Sequence, residues 1–308
     1  MTAQANPDIA AVLVIGAGGM LGRDVSSELA RRGVTPISKD RAACDITELV
    51  SLRSAAQELQ TLCGSGGSRR GVVINCAAYT DVNRAESEET LALAINGDGP
   101  GHLASVCRDH GFHLVHVSTD YVFDGTKAEP YETEDATFPI NAYGRTKLAG
   151  EVAINQVMAE GTWAVARTSW LYGVHGPNFV KTMLRLAGEG RDMKVIGDQV
   201  GAPTYTADLA RALVDIALEP RARGILHVTN SGSCSWFEFA RAIFEDAGIQ
   251  PKSLVACATA DFPTPARRPA NSRLSPASLL KAGIAPLPDW RDGLRHYLAQ
   301  ESGVCAKA

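Results

Sequence analysis

The sequence predicts an α/β protein with a doubly wound parallel sheet and a smaller, loop-rich C-terminal α/β domain. Two observations lead to this fold class: short apolar runs rich in β-branched residues recur through the first half of the chain, and each is followed by a stretch with apolar residues at helical spacing. Such an alternation forms βαβ units, whose strands are parallel and whose helices cover both faces of the sheet. The 308 residues suffice for one large domain or two modest ones.

Four strands are predicted, at residues 12–15, 72–75, 114–117 and 165–166. The helical stretches that accompany them cover residues 24–32, 49–59, 88–108 and 144–158.

The regular alternation ends after about Ser169, where Pro and Gly become more frequent. We therefore predict a first domain at residues 1–170 and a mainly separate second domain at residues 171–308, with the strand-like segment 225–228 as a candidate to return to the main sheet. Residues 64–71, with the sequence GSGGSRRG, are predicted to form a turn-rich surface loop.

Composition and charge exclude several classes of function. The net charge of −4, without a long basic run, gives no footprint for nucleic acid or for an anionic membrane surface. No apolar stretch reaches the roughly 18 residues that would cross a bilayer, and the N-terminus lacks the regions of a signal peptide, so we expect a cytoplasmic protein. The seven cysteines show no CxxC pair or zinc pattern, and we expect them to be reduced packing residues.

A glycine-rich turn follows the first predicted strand directly. Gly16, Gly19 and Gly22 stand in the segment GAGGMLG, and a helical stretch comes next. Glycine is needed where the backbone turns sharply and approaches a pyrophosphate, which then lies at the positive end of a helix. This strand, turn and helix predict an NAD(P)-binding domain of the Rossmann type at residues 1–170.

Asp40 and Arg41 stand near the expected end of the second strand, 24 and 25 residues after Gly16. An acidic residue there holds the ribose hydroxyls of NADH, whereas an arginine accommodates the 2′-phosphate of NADPH. The pair favours NADPH and leaves NADH open.

Tyr143 and Lys147 are four residues apart in YGRTK, which puts them on the same face of a predicted helix. A nearby ammonium lowers the pKa of a tyrosine by stabilising the phenolate, so that the phenol can donate a proton. Thr119 stands just after a predicted parallel strand, beside the nucleotide crevice, where its hydroxyl can hydrogen-bond a carbonyl oxygen. The three residues together predict a dehydrogenase or reductase.

The order of the longer motifs resembles that of the dTDP-4-dehydrorhamnose reductases, a family of the extended short-chain dehydrogenase/reductase superfamily. The motifs, spread from about residue 12 to about residue 298, are GAGGMLG, NCAAYTDVNRAE, HVSTDYVFDG, YGRTKLAGE, RTSWLYG, DQVGAPT and RRPANSRL. The resemblance implies NADPH-dependent reduction of the 4-keto group of dTDP-4-dehydro-6-deoxy-L-mannose to dTDP-L-rhamnose, the last step of dTDP-rhamnose biosynthesis.

By the same resemblance, Thr119 would hydrogen-bond the keto oxygen, Tyr143 would be the general acid, and Lys147 would tune the pKa of the tyrosine and hold the nicotinamide ribose. The other implied cofactor ligands are Gly16, Gly19, Met20, Leu21 and Gly22 at the pyrophosphate, Asp45 and Ile46 at the adenine, and Ala77, Ala78, Tyr79 and Thr80 along the cofactor. The implied substrate ligands besides Thr119 and Tyr143 are Asp120, Trp170 and Arg268.

Several alternatives stay open at this point. Sugar-nucleotide dehydratases have an Asp-Glu pair after the threonine, whereas this chain has Asp120-Tyr121, which favours reduction. Reduction of another dTDP-4-keto-6-deoxysugar, or a non-catalytic NADP-binding regulatory subunit, also fits the resemblance. Some relatives bind magnesium through glutamates at a dimer interface; Asp24 and Asp208 stand at the matching places, and because aspartate is shorter we expect no essential metal. A homodimer is one of the oligomeric states left open.

Overall fold

The computed structural model describes residues 9–64, 70–159, 162–219 and 221–305. Most of the predicted loop at residues 64–71 lies outside these ranges. The strands are β1 Ile9–Ile15, β2 Thr35–Lys39, β3 Arg70–Asn75, β4 His113–Thr119, β5 Trp163–Thr168, β6 Leu171–Tyr172, β7 Asp192–Ile196, β8 Val200–Gly201, β9 Thr204–Tyr205, β10 Gly224–His227, β11 Cys234–Ser235 and β12 Ser253–Cys257.

Helices lie between many of these strands along the described chain. They are α1 Met20–Arg31, α2 Leu49–Cys63, α3 Val82–Ala85, α4 Glu89–Leu93, α5 Gly99–His110, α6 Ala142–Val157, α7 Phe179–Gly188, α8 Thr206–Leu218, α9 Trp236–Ala247, α10 Ala277–Lys281 and α11 Trp290–Cys305. A π-helical turn, Ala94–Asp98, joins α4 to α5, and 3₁₀ turns cover Asp120–Val122 and Thr259–Asp261.

The main sheet confirms the predicted fold class. Its six strands lie in the order β10-β5-β4-β3-β1-β2, and every neighbouring pair is parallel. The chain runs outward from β1 to β2 and then crosses to β3 on the other side of β1. A crevice therefore opens between β1 and β3 at the carboxyl ends of the strands, which is where α/β proteins of this topology bind nucleotides.

Both faces of the sheet are covered because alternate residues of each strand point to opposite sides. In β1, Val12 and Val14 pack into one apolar core with residues of α1 and α8, and Leu13 and Ile15 pack into another with residues of α2 and α5. The four β1 side chains are at most 1% exposed.

A third apolar core, built from the later part of the chain, contains Tyr172, Phe239 and Tyr297. Two later elements nevertheless belong to the main sheet and its covering layer: β10 pairs with β5, and α8 packs against the sheet. The chain therefore returns to the main sheet after residue 171. We keep the division at residues 170 and 171 as a proposal, with α8 and β10 assigned to the first domain.

One predicted helix, at residues 88–108, is divided in the structure into α4, the π-helical turn and α5. Pro100 has no backbone N–H and cannot donate to the carbonyl of Asn96, as a continuous α-helix would require. Gly150 of α6 approaches that carbonyl so closely that a Cβ atom there would lie 2.2 Å from the Asn96 oxygen. The π-helical turn therefore packs closely against α6 at Gly150. Within the described ranges, no helix is both long and apolar enough to span a membrane.

Candidate active site

The glycine turn between β1 and α1 admits no side chains at two positions. Gly16 has φ +78°, and a Cβ atom there would lie 2.6 Å from the backbone nitrogen of Ala77. A Cβ atom on Gly22 would lie 2.3 Å from the carbonyl oxygen of Gly16. Gly19, the N-cap of α1, offers no side chain to the first N–H groups of that helix. The backbone there can approach a pyrophosphate closely and donate hydrogen bonds to it, so the turn fits NADP.

A cavity of about 400 Å³ lies on the β2 side of this turn. The predicted residues that line it are Gly16, Gly19, Asp40, Arg41, Asp45, Ile46, Ala77 and Ala78. The sequence analysis did not include Gly18, Ala42, Cys44, Cys76 and Ile95, which also line it. Because small and apolar side chains occur throughout the chain, their type does not indicate a binding site, and only their position in the structure shows that they line the cavity.

Asp40 and Arg41 have different surroundings in this cavity. The Asp40 carboxylate accepts a hydrogen bond of 2.9 Å from the backbone N–H of Ala43. The Arg41 side chain is 81% exposed and lies 3.5 Å from the Asp45 carboxylate. Since an exposed ion pair of this kind is weak, the guanidinium is free to exchange it for a phosphate.

A larger cavity of about 970 Å³ continues from the first on the other side of the turn. The predicted residues that line it are Gly19, Met20, Leu21, Gly22, Ala78, Thr80, Thr119, Asp120, Tyr143, Lys147 and Trp170. Gly18, Gly19, Cys76 and Ala78 line both cavities, so the two form one elongated cleft. The cleft is long enough for a dinucleotide with a second ligand beside it, and glycines line the place where the two cavities join.

Tyr79 and Arg268 do not line either cavity. The Tyr79 hydroxyl donates to the Glu88 carboxylate at 2.6 Å, which turns the phenol toward α4. The Arg268 guanidinium donates to Thr264 at 2.5 Å and to Asn83 at 3.2 Å. The guanidinium also interacts with Tyr121, whose side chain does line the cleft.

Thr119 ends β4, and its hydroxyl is held in place from two directions. The oxygen accepts a hydrogen bond of 3.1 Å from the N–H of Tyr121 and donates one of 3.0 Å to the Asp120 carboxylate. The first bond follows from the 3₁₀ turn that begins at Asp120, because Thr119 is its N-cap. The hydroxyl is therefore fixed at the carboxyl end of a central strand.

Tyr143 lies in the first turn of α6, whose N-cap is Asn141. Burial raises the pKa of Tyr143 to about 12; the Asp120 carboxylate adds to the rise, and the Thr119 hydroxyl opposes it. We expected Lys147 to lower this pKa, but the groups that shift it in the structure do not include Lys147. The Lys147 side-chain nitrogen donates a hydrogen bond to the carbonyl oxygen of Val117, at 2.6 Å.

Burial also has the largest effect on the pKa values of Lys147 and Asp120, which line the same cavity as Tyr143. It lowers the pKa of Lys147 to about 8, although the Glu151 carboxylate acts in the opposite direction. It raises the pKa of Asp120 to about 7, although hydrogen bonds from Ser272 and Thr119 act in the opposite direction. The Asp120 Oδ2 atom is buried with no hydrogen-bond partner among the described residues, so it can accept a hydrogen bond from a ligand in the cleft.

Trp170 lies at the far wall of the larger cavity. It has φ 48°, a left-handed backbone conformation that costs a bulky residue free energy and that marks functional sites. Its indole stacks on that of Trp236, with centroids 3.6 Å apart and planes 6° from parallel. Trp236 also lines the cavity, and sequence reasoning missed it because 66 residues separate the two indoles in the chain.

The two aspartates considered for magnesium have different partners. Asp24 lies 3.7 Å from His175, and Asp208 pairs with Arg211 and accepts a hydrogen bond of 2.9 Å from Asn230. Within the described ranges, no three His, Cys, Asp or Glu side chains are grouped so that they could hold a metal ion.

A sequence model of one protein family, described as the RmlD substrate binding domain, matches residues 10–302. The chain belongs to this family. It is 43% identical over 298 residues to the dTDP-4-dehydrorhamnose reductase of Mycolicibacterium smegmatis, with 95% of this chain and 86% of that protein covered. The motif resemblance to the dTDP-4-dehydrorhamnose reductases is thereby confirmed.

Two further proteins similar to this chain bear on cofactor and substrate. A crystal structure of dTDP-4-dehydrorhamnose reductase from Bacillus anthracis in complex with NADP matches with a TM-score of 0.87 and 36% identity, covering 95% of this chain and 99% of that one. The dTDP-4-keto-6-deoxy-D-glucose reductase of Streptomyces niveus is 39% identical, covering 92% of this chain and 94% of that protein. Proteins whose names give different sugars are thus almost equally similar to this chain, at 43% and 39% identity.

Proposed function

We propose that this chain is an NADPH-dependent oxidoreductase that reduces the 4-keto group of dTDP-4-dehydro-6-deoxy-L-mannose to give dTDP-L-rhamnose. One observation carries the proposal: Thr119, Tyr143 and Lys147 line a cavity that continues, past the glycine turn, into a second cavity of suitable shape for adenosine. Family membership, and the NADP bound to the Bacillus anthracis relative, support the same reaction and cofactor.

Bound NADPH would supply the hydride that reduces the keto carbon. The turn at Gly16, Gly19 and Gly22 would hold its pyrophosphate, and Arg41 would pair with the 2′-phosphate. Lys147 would hold the nicotinamide ribose. NADH would lack the contact with Arg41 and would bind more weakly.

Tyr143 would donate the proton that the reduced oxygen needs. With a pKa of about 12, the phenol remains protonated at neutral pH and always has a proton to give. An alkoxide is more basic than a phenolate, so the transfer is favourable once the carbonyl oxygen has gained charge. The hydroxyl of Thr119 lies beside the phenol, where it would turn its proton from the Asp120 carboxylate to that oxygen as the charge on the oxygen grows.

Asp120 and Trp170 would position the sugar. The free Oδ2 atom of Asp120 would accept a hydrogen bond from a sugar hydroxyl, and the indole would form an apolar wall. Arg268 would act on the diphosphate only after a side-chain rotation, because the guanidinium is bound to Thr264 and Asn83.

The decisive test is NADPH oxidation, followed at the nicotinamide absorbance band, with dTDP-4-dehydro-6-deoxy-L-mannose generated in situ. We expect turnover with formation of dTDP-L-rhamnose, identified by NMR, and slower turnover with NADH. Tyr143→Phe is the matched control, because it keeps the shape of the ring and removes the proton donor.

A second candidate is reduction of another dTDP-4-keto-6-deoxysugar, favoured by the similarity to the Streptomyces niveus reductase. The same assay with dTDP-4-keto-6-deoxy-D-glucose as the substrate tests this candidate. Faster turnover of that sugar would establish the second candidate, whereas NADPH binding without turnover of either sugar would establish a regulatory subunit.

The proposal also includes a cytoplasmic location and a homodimer, which rest on the sequence analysis alone. Cell fractionation with antibodies against the chain tests the first. Light scattering of the eluted protein tests the second, where a mass near 32.6 kDa would contradict a dimer.

A further inference from the structure

A row of buried polar groups lies beneath Lys147, on the side away from the cleft. Asn75 ends β3, and His116 lies beside it in β4; both side chains are 0% exposed. The Asn75 amide nitrogen lies 2.9 Å from His116 Nδ1, and His116 Nε2 lies 3.3 Å from Lys147 Nζ. The proposed mechanism uses the lysine and leaves the other two residues without a role.

The backbone fixes the orientation of the Asn75 amide. The N–H of Ala77 is a donor under all conditions, and it lies 3.0 Å from Asn75 Oδ1. The oxygen of the amide must therefore face Ala77, and its NH₂ group must face His116. It follows that Nδ1 of His116 accepts a hydrogen bond and carries no proton.

A neutral imidazole without a proton on Nδ1 carries it on Nε2. This N–H is directed at Lys147, whose nitrogen can accept it only as an uncharged amine, because an ammonium has no lone pair. The amine would still donate to the carbonyl oxygen of Val117. Protonation of Lys147 would set two donors face to face between side chains that are at most 1% exposed.

We propose that His116, oriented by Asn75, is a positioning residue that favours the uncharged form of Lys147 in the free protein. Loss of its Nε2–H would then raise the affinity of the lysine for a proton. The charge of Lys147, which lines the cleft, would thus be set by groups on the side of the lysine away from the cleft.

Two other ionisable groups, Glu151 and Cys76, also act on Lys147, but both favour its charged form and so cannot account for an uncharged amine. Glu151, on the same helix, favours the ammonium, but Ser118 and Arg167 hydrogen-bond to its carboxylate. Cys76, at the end of β3, favours the ammonium as a thiolate, yet burial raises the pKa of its thiol to about 12. Burial lowers the pKa of Lys147 to about 8, which is close to neutral pH. A single hydrogen-bond donor beside the nitrogen can therefore change the fraction of Lys147 that is charged.

NMR of the free, full-length protein tests this inference without substrate or cofactor. Protein labelled with ¹³C at lysine Cε gives eight signals at most, and Lys147→Met identifies the one of interest. Labelling of the seven histidines with ¹⁵N reports which ring nitrogen of His116 carries the proton. We expect a protonated Nε2 and a Lys147 midpoint at or below about 8, against about 10.4 for exposed lysines.

His116→Asn is the decisive variant. Its amide can keep the hydrogen bond with Asn75 but cannot reach Lys147, so the Lys147 midpoint is expected to rise by about one pH unit, a tenfold change in proton affinity. His113→Asn, a buried histidine of the same strand, is the matched control and should leave the midpoint unchanged. If His116→Asn does not fold, the ¹⁵N shifts of the unaltered protein still decide the question.

A proton on Nδ1 of His116, or a Lys147 midpoint unaffected by His116→Asn, would overturn the inference. The catalytic consequence rests on the proposed function and is measured separately: the alkaline limb of kcat/KM should move up with the Lys147 midpoint in His116→Asn. A purely structural role would lower kcat/KM at all pH values without moving the limb. Failure of the reductase assay would leave the NMR result intact.

Discussion

The ionisation of Asp120 is expected to destabilise the folded protein. Its side chain is 3% exposed, and burial raises its pKa from the ordinary value of 3.8 to about 7. The difference of about 3 pH units corresponds to ~4 kcal/mol, since one unit is worth about 1.36 kcal/mol. Because the folded state holds the proton more tightly than the unfolded state, this stability is present at low pH and is lost as pH rises from about 4 to about 7.

The variant Asp120→Asn removes the ionisation and keeps the shape of the side chain. At pH 8 the unaltered protein has lost the full ~4 kcal/mol, whereas at pH 4.5 it has lost about 1 kcal/mol. The stability of the variant relative to the unaltered protein should therefore be about 3 kcal/mol greater at pH 8 than at pH 4.5. Any fixed cost of the amide cancels in this comparison.

Urea unfolding followed by tryptophan fluorescence at the two pH values measures the difference. Asp109→Asn is the control, because that carboxylate is 55% exposed and its removal should change stability by less than about 0.5 kcal/mol at either pH. An equal effect of Asp120→Asn at pH 4.5 and pH 8 would refute the reasoning, since it would mean that Asp120 titrates alike in the folded and unfolded chains.

Three further predictions concern the cleft. Tyr143→Phe should lower kcat by a hundredfold or more, an order of magnitude typical of a lost general acid, while the Kd of NADPH measured by fluorescence stays nearly constant; full activity would exclude Tyr143 as the proton donor. Gly22→Ala should abolish NADPH binding in calorimetry, because its Cβ atom would lie 2.3 Å from the Gly16 oxygen, whereas Gly188→Ala, with nothing within 4 Å, should bind normally. Arg41→Ala should weaken NADPH binding by about tenfold and leave the Kd of NADH nearly unchanged, and equal losses for both cofactors would contradict a contact with the 2′-phosphate.

The fold class and the centre of the site could be predicted from the sequence because both depend on residues close together in the chain. A strand, a glycine turn and a helix follow one another directly around Gly16 and Gly22. Tyr143 and Lys147 share a helix face through their four-residue spacing, and Thr119 lies in the cleft because it ends a parallel strand. Local geometry alone determines each of these placements.

The properties that depend on residues far apart in the chain were decided by the tertiary structure. Burial and Asp120 raise the pKa of Tyr143, where the sequence had suggested a lowering by Lys147. Trp236 reaches Trp170 only because the first residue of α9 packs against the wall of the cleft. Arg268, in contrast, was predicted to bind substrate, but its hydrogen bonds to Thr264 and Asn83 hold the guanidinium outside the lining of the cleft.

The sequence by itself therefore determined which chemical groups are present and which short segments carry them. Only the tertiary structure decided how deeply each group is buried and what it touches, as in the contact of His116 with Lys147 across 31 residues of chain. The physical reason is that desolvation and charge interactions, which set proton affinities, arise from the whole packed surroundings of a group. Residue spacing carries no information about those surroundings.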